Sequence, residues 1–147
     1  MIPRWCDWQF GIPHSVFAGH AFWHRPGTRN IWIADAQCQP DAFADPHTIG
    51  LIATRRPPPR AKPTSIFLQR FAGQASRNVY TLNDDEVQRY LRREMVMVDP
   101  VDDGRGFCVV RSHRYVLGCG RIEGNELHSE APKSWFYEMP RIGVSDD

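Results

Sequence analysis

Beyond residue 94 the apolar positions fall into short runs separated by turn residues: 95–98 (MVMV), 106–111 (GFCVVR), 115–122 (YVLGCGRI) and 126–129 (ELHS). "DPVDDGRG" and "EGNE" supply the turns between them. Short strands this close together predict a small barrel or a strongly bent sheet. Gly118 and Gly120 interrupt the third run two residues apart, on one face of the strand. Glycines in such a place predict a bulge, a barrel corner or a close backbone approach, with the helix carrying Tyr90 and Leu91 as the expected neighbour.

Helical periodicity dominates the stretch before these strands. Asn83 followed by Glu86 has the capping-box spacing, with Asp84 and Asp85 at the positive end of the dipole, and predicts a helix to about Arg93 with Val87, Tyr90 and Leu91 as its apolar stripe. Thr64 predicts a second N-cap, and Ile66, Phe67, Phe71 and Ala75 can share one face to about Gln74. Nearer the start, Ile31 and Ile33 alternate with Trp32 and Ala34 in a predicted strand. "FGIP" before "HSVF" predicts a turn into a short helix with Pro13 in its first turn. Residues 37–49 carry only a weak pattern. The prolines of 55–63 (RRPPPRAKP) exclude a helix or a central strand and predict an exposed connector.

Charge sharpens this picture. The formal net charge is +1, but residues 1–80 hold 9 basic and 4 acidic groups while 81–147 hold 9 basic and 13 acidic ones. Residues 46–83 contain no acid at all, yet include Arg55, Arg56, Arg60, Lys62, Arg70 and Arg77. A segment of one sign fits a phosphate-facing surface, because each phosphate contact releases condensed counterions; a solvated basic loop is the plainer alternative. No run approaches the length that spans a bilayer, and the N-terminus lacks the basic-then-apolar order of a secretory signal. The expectation is a soluble cytoplasmic protein, with the initial Met favouring a free-standing chain.

The candidate chemistry is thin. There is no P-loop, no Gly-x-Gly-x-x-Gly after a strand and no Gly-x-Ser-x-Gly elbow. His20 and His24 have the spacing of two helical metal ligands, but "GHAFWHRPG" offers no acid or cysteine partner. Cys6, Cys38, Cys108 and Cys119 form no Cys-x-x-Cys pair and read as reduced, mostly buried thiols. A nucleophile built from Cys108 or Cys119 with His113 as base is weighed against strand-like apolar surroundings that raise a thiol pKa, which favour inert core residues. Trp5, Trp8, Phe10, Phe17, Phe22, Trp23 and Trp32 crowd the first part of the chain. Aromatic side chains can stack on unpaired bases, but in a chain this small most of them are assigned to packing.

Three ordered stretches carry a resemblance. "FGIPHSVFAGHAFWHRPGTRNIWIA" resembles the segment after the catalytic domain in RsmF-type, Nop/Sun-group RNA cytosine-5 methyltransferases. "KPTSIFLQRFAGQASRNVYTLNDDEVQRYLRRE" resembles their next block, and "GFCVVRSHRYVLGCGRIEGNELHSEAPKSW" their PUA-like RNA-binding module. The most specific matches are "KPT", "RNV", "YLR", "LGCGRI" and "PKS". Lys62, Arg77, Gly118, Gly120, Pro132 and Lys133 carry over by motif, in architectural or RNA-facing roles. The methyltransferase domain is missing, and none of the four cysteines follows Pro or Thr as that group's cysteines do. Where relatives often continue with basic residues after the Pro-Lys pair, this chain gives "SWFYEMPRIGVSDD".

The resemblance and the residues together predict an α+β fold: an α/β lobe over 1–76, a PUA-like barrel over 77–140 and a flexible acidic tail over 141–147. The expected function is non-catalytic recognition of structured rRNA or tRNA, without a cofactor or metal and with neither DNA nor membrane as partner. Lys62, Arg77, Arg92, Arg93, Arg111, Arg114 and Lys133 are the expected RNA contacts, with Gly118, Gly120 and Pro132 structural. The alternative is a protein-interaction subunit that docks onto a separate methyltransferase or a ribosome-assembly factor through the aromatic first lobe. A small enzyme in its own right is the third reading.

Overall fold

The computed structural model describes residues 1–24, 27–37 and 50–138, the last three by backbone alone. The predicted acidic tail, Cys38 and most of the weakly patterned 37–49 stretch lie outside the described residues. Helix α1 (Ile2–Phe10) and a 3₁₀ turn (His14–Phe17) lead into three strands, β1 (His20–His24), β2 (Ile31–Asp35) and β3 (Leu51–Thr54). Helix α2 (Ser65–Phe71), β4 (Val79–Thr81), α3 (Asp84–Leu91), β5 (Val96–Met97), β6 (Gly106–Arg111), β7 (Val116–Glu123), β8 (Glu126–Ser129) and α4 (Lys133–Glu138) follow. The first three strands make an antiparallel sheet in sequence order. The second sheet has the order β4-β6-β7-β8-β5 and curls into a half-barrel, with β4 parallel to β6 and its other neighbours antiparallel. The fold is α+β.

Local chemistry accounts for the helices. Thr64 accepts a hydrogen bond from the Phe67 N–H at 3.2 Å, and Asn83 and Glu86 exchange both capping-box bonds at 2.9 Å. α2 ends at Phe71 and α3 at Leu91, each short of its expected end. Arg93, at φ 62°, turns the chain out of the helical region. Helix α1 was not among the predicted elements. Its proline sits in the first turn, where no N–H is needed, and its stripe of Ile2, Trp5, Cys6 and Phe10 is buried. Gly11 closes it in the left-handed region at φ 64°, where an added Cβ would run into the Ser76 side chain, so the position favours glycine.

Two core clusters explain the apolar runs. The first joins α1, Ile31 and Ile33 of β2, α2 and the aromatic group of Phe17, Phe67 and Phe71 to Val109, Val116 and Cys119 of the second sheet. The second gathers Tyr80, Leu82, Tyr90, Val96, Cys108, Val110, Ile122 and Leu127. Neighbours on β6 therefore enter opposite cores: Cys108 and Val110 one, Val109 the other. A strand covered on both faces needs an unbroken apolar run rather than an alternating one.

At Gly118 the sheet gives up an ordinary edge. The β7–β8 ladder reaches only Gly120 opposite Ser129. Before that point, helix side chains satisfy the backbone of β7. Cys119 N–H donates to Ser65 Oγ at 3.0 Å, Tyr90 O–H donates to the Cys119 carbonyl at 2.7 Å, and Gln69 Nε2 donates to the Leu117 carbonyl at 2.9 Å. A Cβ on Gly118 would meet Ser65 Oγ at 2.6 Å and Tyr90 Oη at 2.8 Å; on Gly120 it would meet Val110 Cγ2 at 2.8 Å. Opposite, Val110 pairs with Gly118 but Arg111 with Val116, which leaves Leu117 as the extra residue of a bulge. The half-buried Pro132 lies just before α4, its carbonyl accepting from the Trp135 N–H at 3.1 Å.

Candidate nucleic-acid interface

The same helix that buries Trp5 leaves Trp8 on its outer side, 67% exposed. Facing it is the proline-rich loop after β3, closed by the Arg55 N–H donating to the Lys62 carbonyl at 2.9 Å and by the Thr54–Pro63 bridge. Its prolines keep it out of both sheets, and its buried Ala61 pins it down, so Arg56 and Arg60 stay on the surface. The turn between β5 and β6 adds Arg105. These elements enclose a cleft of about 750 Å³ with Trp5, Trp8, Arg56, Arg60, Arg105 and Phe107 among its lining residues. Arg56, Arg60 and Arg105 are exposed, and none has an ion-pair partner among the described residues.

One acid, Asp103, also lines the cleft, and it is already engaged. Arg77 Nη2 reaches it at 3.0 Å and Asn78 Nδ2 at 3.2 Å. On the other side of Trp8, a second hollow is lined by Arg4, Asp7, His14 and Arg77. The indole thus stands between two groups of arginines, the second of which includes Asp7.

A buried polar seam holds the cleft's walls together. Asn78, 2% exposed and at φ 54°, donates from Nδ2 to the Gln9 carbonyl at 2.7 Å, while its backbone N–H donates to Asp102 at 2.8 Å. Arg77 Nε donates to the Trp8 carbonyl at 3.2 Å, and the N–H groups of Ser76 and Arg77 both donate to Phe10. The last carbonyls of α1, which a helix cannot satisfy internally, are thereby capped.

Two of the seven residues expected to contact RNA flank this cleft. Lys62 pairs with Glu130 at 2.6 Å and lies 5.8 Å from the centre of the Phe107 ring; Arg77 joins Trp8 to Asp103 as above. The other five lie elsewhere. Arg92 is exposed at the end of α3, and Arg93 donates to the Ala131 carbonyl. Arg111 donates to the Ser112 carbonyl at 3.2 Å, Arg114 is exposed in the β6–β7 turn, and Lys133 is exposed at the start of α4. The acid-free segment and the aromatic cluster contained signals for Arg56, Arg60 and Trp8, but nothing local announced Arg105 or brought the four together.

The alternative chemistries find less support. His20 and His24 lie on strand β1, not a helix; His20 stacks edge-on against Phe71 and His24 Nε2 donates to the Thr28 carbonyl at 2.8 Å. Cys6, Cys108 and Cys119 are buried and unbonded to one another, and burial pushes each thiol up, Cys6 to about 12. His113 is exposed on a turn, away from those interiors. Glu123, Glu126 and His128 gather within 4.8 Å at the β7–β8 hairpin. Arg121 takes up the Glu123 carboxylate at 2.5 Å and also approaches Glu130, which makes the group an ion-pair network at the hairpin.

Residues 77–137 match the family model of the methyltransferase RsmF PUA domain. This stretch is a PUA-like module of RsmF-type methyltransferases. No curated protein matches the chain. The PUA-like module comprises the second sheet and its helices, and its kind is RNA-binding; no methyltransferase catalytic domain is found beside it. It contributes Asp103, Arg105 and Phe107 to the cleft, while Trp5, Trp8, Arg56 and Arg60 come from the chain before it.

Proposed function

We propose that the protein binds structured rRNA or tRNA without catalysing a reaction, in the cytoplasm and in the setting of RNA modification or ribosome assembly. The observation that carries this reading is the cleft beside the PUA-like module, where three arginines without ion-pair partners among the described residues surround an exposed tryptophan. Protein cations left uncompensated at an aromatic surface suit a phosphodiester backbone with accessible bases. Arg92, Arg114 and Lys133 extend the phosphate contacts beyond the cleft, while Lys62 and Arg77 share their charge with Glu130 and Asp103 at its rims. The 1–76 segment acts as one wall of the binding surface and the module from 77 as the other. A methyltransferase acting in trans is a fitting companion, since the module from 77 matches one that methyltransferases of the RsmF type carry.

Filter binding of a structured RNA over a salt series tests this. The expected result is binding at low salt that weakens steeply as salt rises, with a log–log slope of about −0.7 to −0.9 per phosphate neutralised. Affinity no greater than that of an uncharged control protein would end the reading, and a stable protein partner captured in its place would favour the docking-subunit alternative.

A further inference from the structure

Resting on that reading, we propose that the Trp8 cleft receives a single unpaired nucleotide, its base stacked on the indole and its flanking phosphates held by the arginines on either side. Packing does not explain Trp8. Its neighbour Trp5 is buried edge-to-face against Phe10, whereas Trp8 is 67% exposed and pairs with no other ring among the described residues. A surface position of this sort suits any polar residue, and a large indole there leaves apolar area in water.

The surroundings name the ligand's chemistry. A cleft of about 750 Å³ lies within the range that encloses small ligands and exceeds what one aromatic base requires. Arg56, Arg60 and Arg105 line it with Trp8 and the Arg77-paired Asp103, and Arg4, Asp7, His14 and Arg77 line the hollow that Trp8 shares on its other side. A strand crossing the outer face of α1 would therefore meet arginine, ring, then arginine, which is the order phosphate, base, phosphate. An isolated phosphate would not use the ring, and a duplex would present no unstacked base to it. Stacking on an indole tolerates every base, so the site discriminates paired from unpaired RNA rather than one sequence from another.

The walls are built to hold this shape. Arg77 and Asn78 cap the carbonyls beneath Trp8, and Gln9 Nε2 donates to the Phe107 carbonyl at 3.4 Å across the cleft floor. Trp8 consequently sits on a helix end fixed to the PUA-like module, and its ring is placed without a loop having to order.

The test compares two RNAs of equal length, a hairpin with a short unpaired loop and a blunt duplex, by fluorescence anisotropy on the full chain. Wild-type protein is expected to bind the hairpin about tenfold tighter than the duplex, and Trp8→Ala to erase that preference while changing duplex affinity less than about twofold. Trp8→Phe, which keeps a stacking ring, should restore part of the preference. A hairpin preference that survives Trp8→Ala, in protein shown folded by circular dichroism, overturns the nucleotide site and leaves RNA binding standing. Wild-type protein that binds neither RNA overturns both readings and assigns the cleft to a protein partner.

Discussion

Two places where helices meet the second sheet are built in opposite ways. Beside Gly118, the hydroxyls of Ser65 and Tyr90 and the amide of Gln69 supply β7 with the hydrogen bonds that a neighbouring strand would give. Beside Trp8, Arg56, Arg60 and Arg105 line an open cleft without an ion-pair partner among the described residues, its one carboxylate, Asp103, being taken by Arg77 and Asn78. Both places bring α-helices, sheet and loop together, and both are rich in donors. At the first, the donors serve the fold. At the second, the fold's needs are met by Asn78 and Arg77, and the remaining donors face solvent. A basic residue's position in a motif therefore says less about RNA than whether its charge is already spoken for.

The largest expected effect breaks the closed side. Gly118→Val would drive methyl groups into Ser65 and Tyr90, and should cost about 3 kcal/mol or more of stability in urea denaturation. If this variant kept parental stability while losing RNA, the glycine would belong to the binding surface instead. Asn78→Ala should cost about 2 kcal/mol, because it strands the Gln9 carbonyl in a buried seam. The same denaturation measurement checks it, and RNA affinity of the folded fraction should fall only as far as the cleft walls move.

Alkaline pH probes the closed side without mutation. Cys6 is held protonated by burial, with its pKa raised from 9.0 to about 12. Its contribution is fully present below about pH 9 and is lost as pH rises toward 12, at about 1.4 kcal/mol per unit, because the unfolded thiol ionises first. Cys108 and Cys119 shift in the same direction for the same cause. Urea midpoints should fall between about pH 8 and pH 10. A midpoint that rises over that interval would contradict the placement of these thiols. The smallest effect on stability belongs to the open side: Arg56→Ala, Arg60→Ala and Arg105→Ala together should change it by less than about 0.5 kcal/mol.

Much of the closed side was legible in the sequence. Thr64 and the Asn83–Glu86 pair announce their helices by local chemistry, and the strands from residue 95 onward are marked by turns on both sides. Other elements were hidden for physical reasons. The α1 stripe of Ile2, Trp5, Cys6 and Phe10 lies among other aromatics behind an early proline, so its period was masked. β4 is three residues long and pairs in parallel with β6, a partner that no local pattern reveals. The histidines of β1 have helical ligand spacing but stand at the two ends of a five-residue strand, too far apart to share an ion. The cleft is harder still to read, since Trp8, Arg60 and Arg105 meet only through tertiary folding, while Arg77 carries the motif and turns out to hold the seam.

The direct test of the open side's role is the salt dependence of RNA binding by the wild-type protein and by the Arg56→Ala/Arg60→Ala/Arg105→Ala variant. If these arginines neutralise phosphates, the log–log slope should shrink by about 2 and low-salt affinity should fall at least about tenfold. An unchanged slope and affinity, with the loss appearing instead on alanine substitution of Arg92, Arg114 and Lys133, would contradict the assignment of RNA binding to the Trp8 cleft.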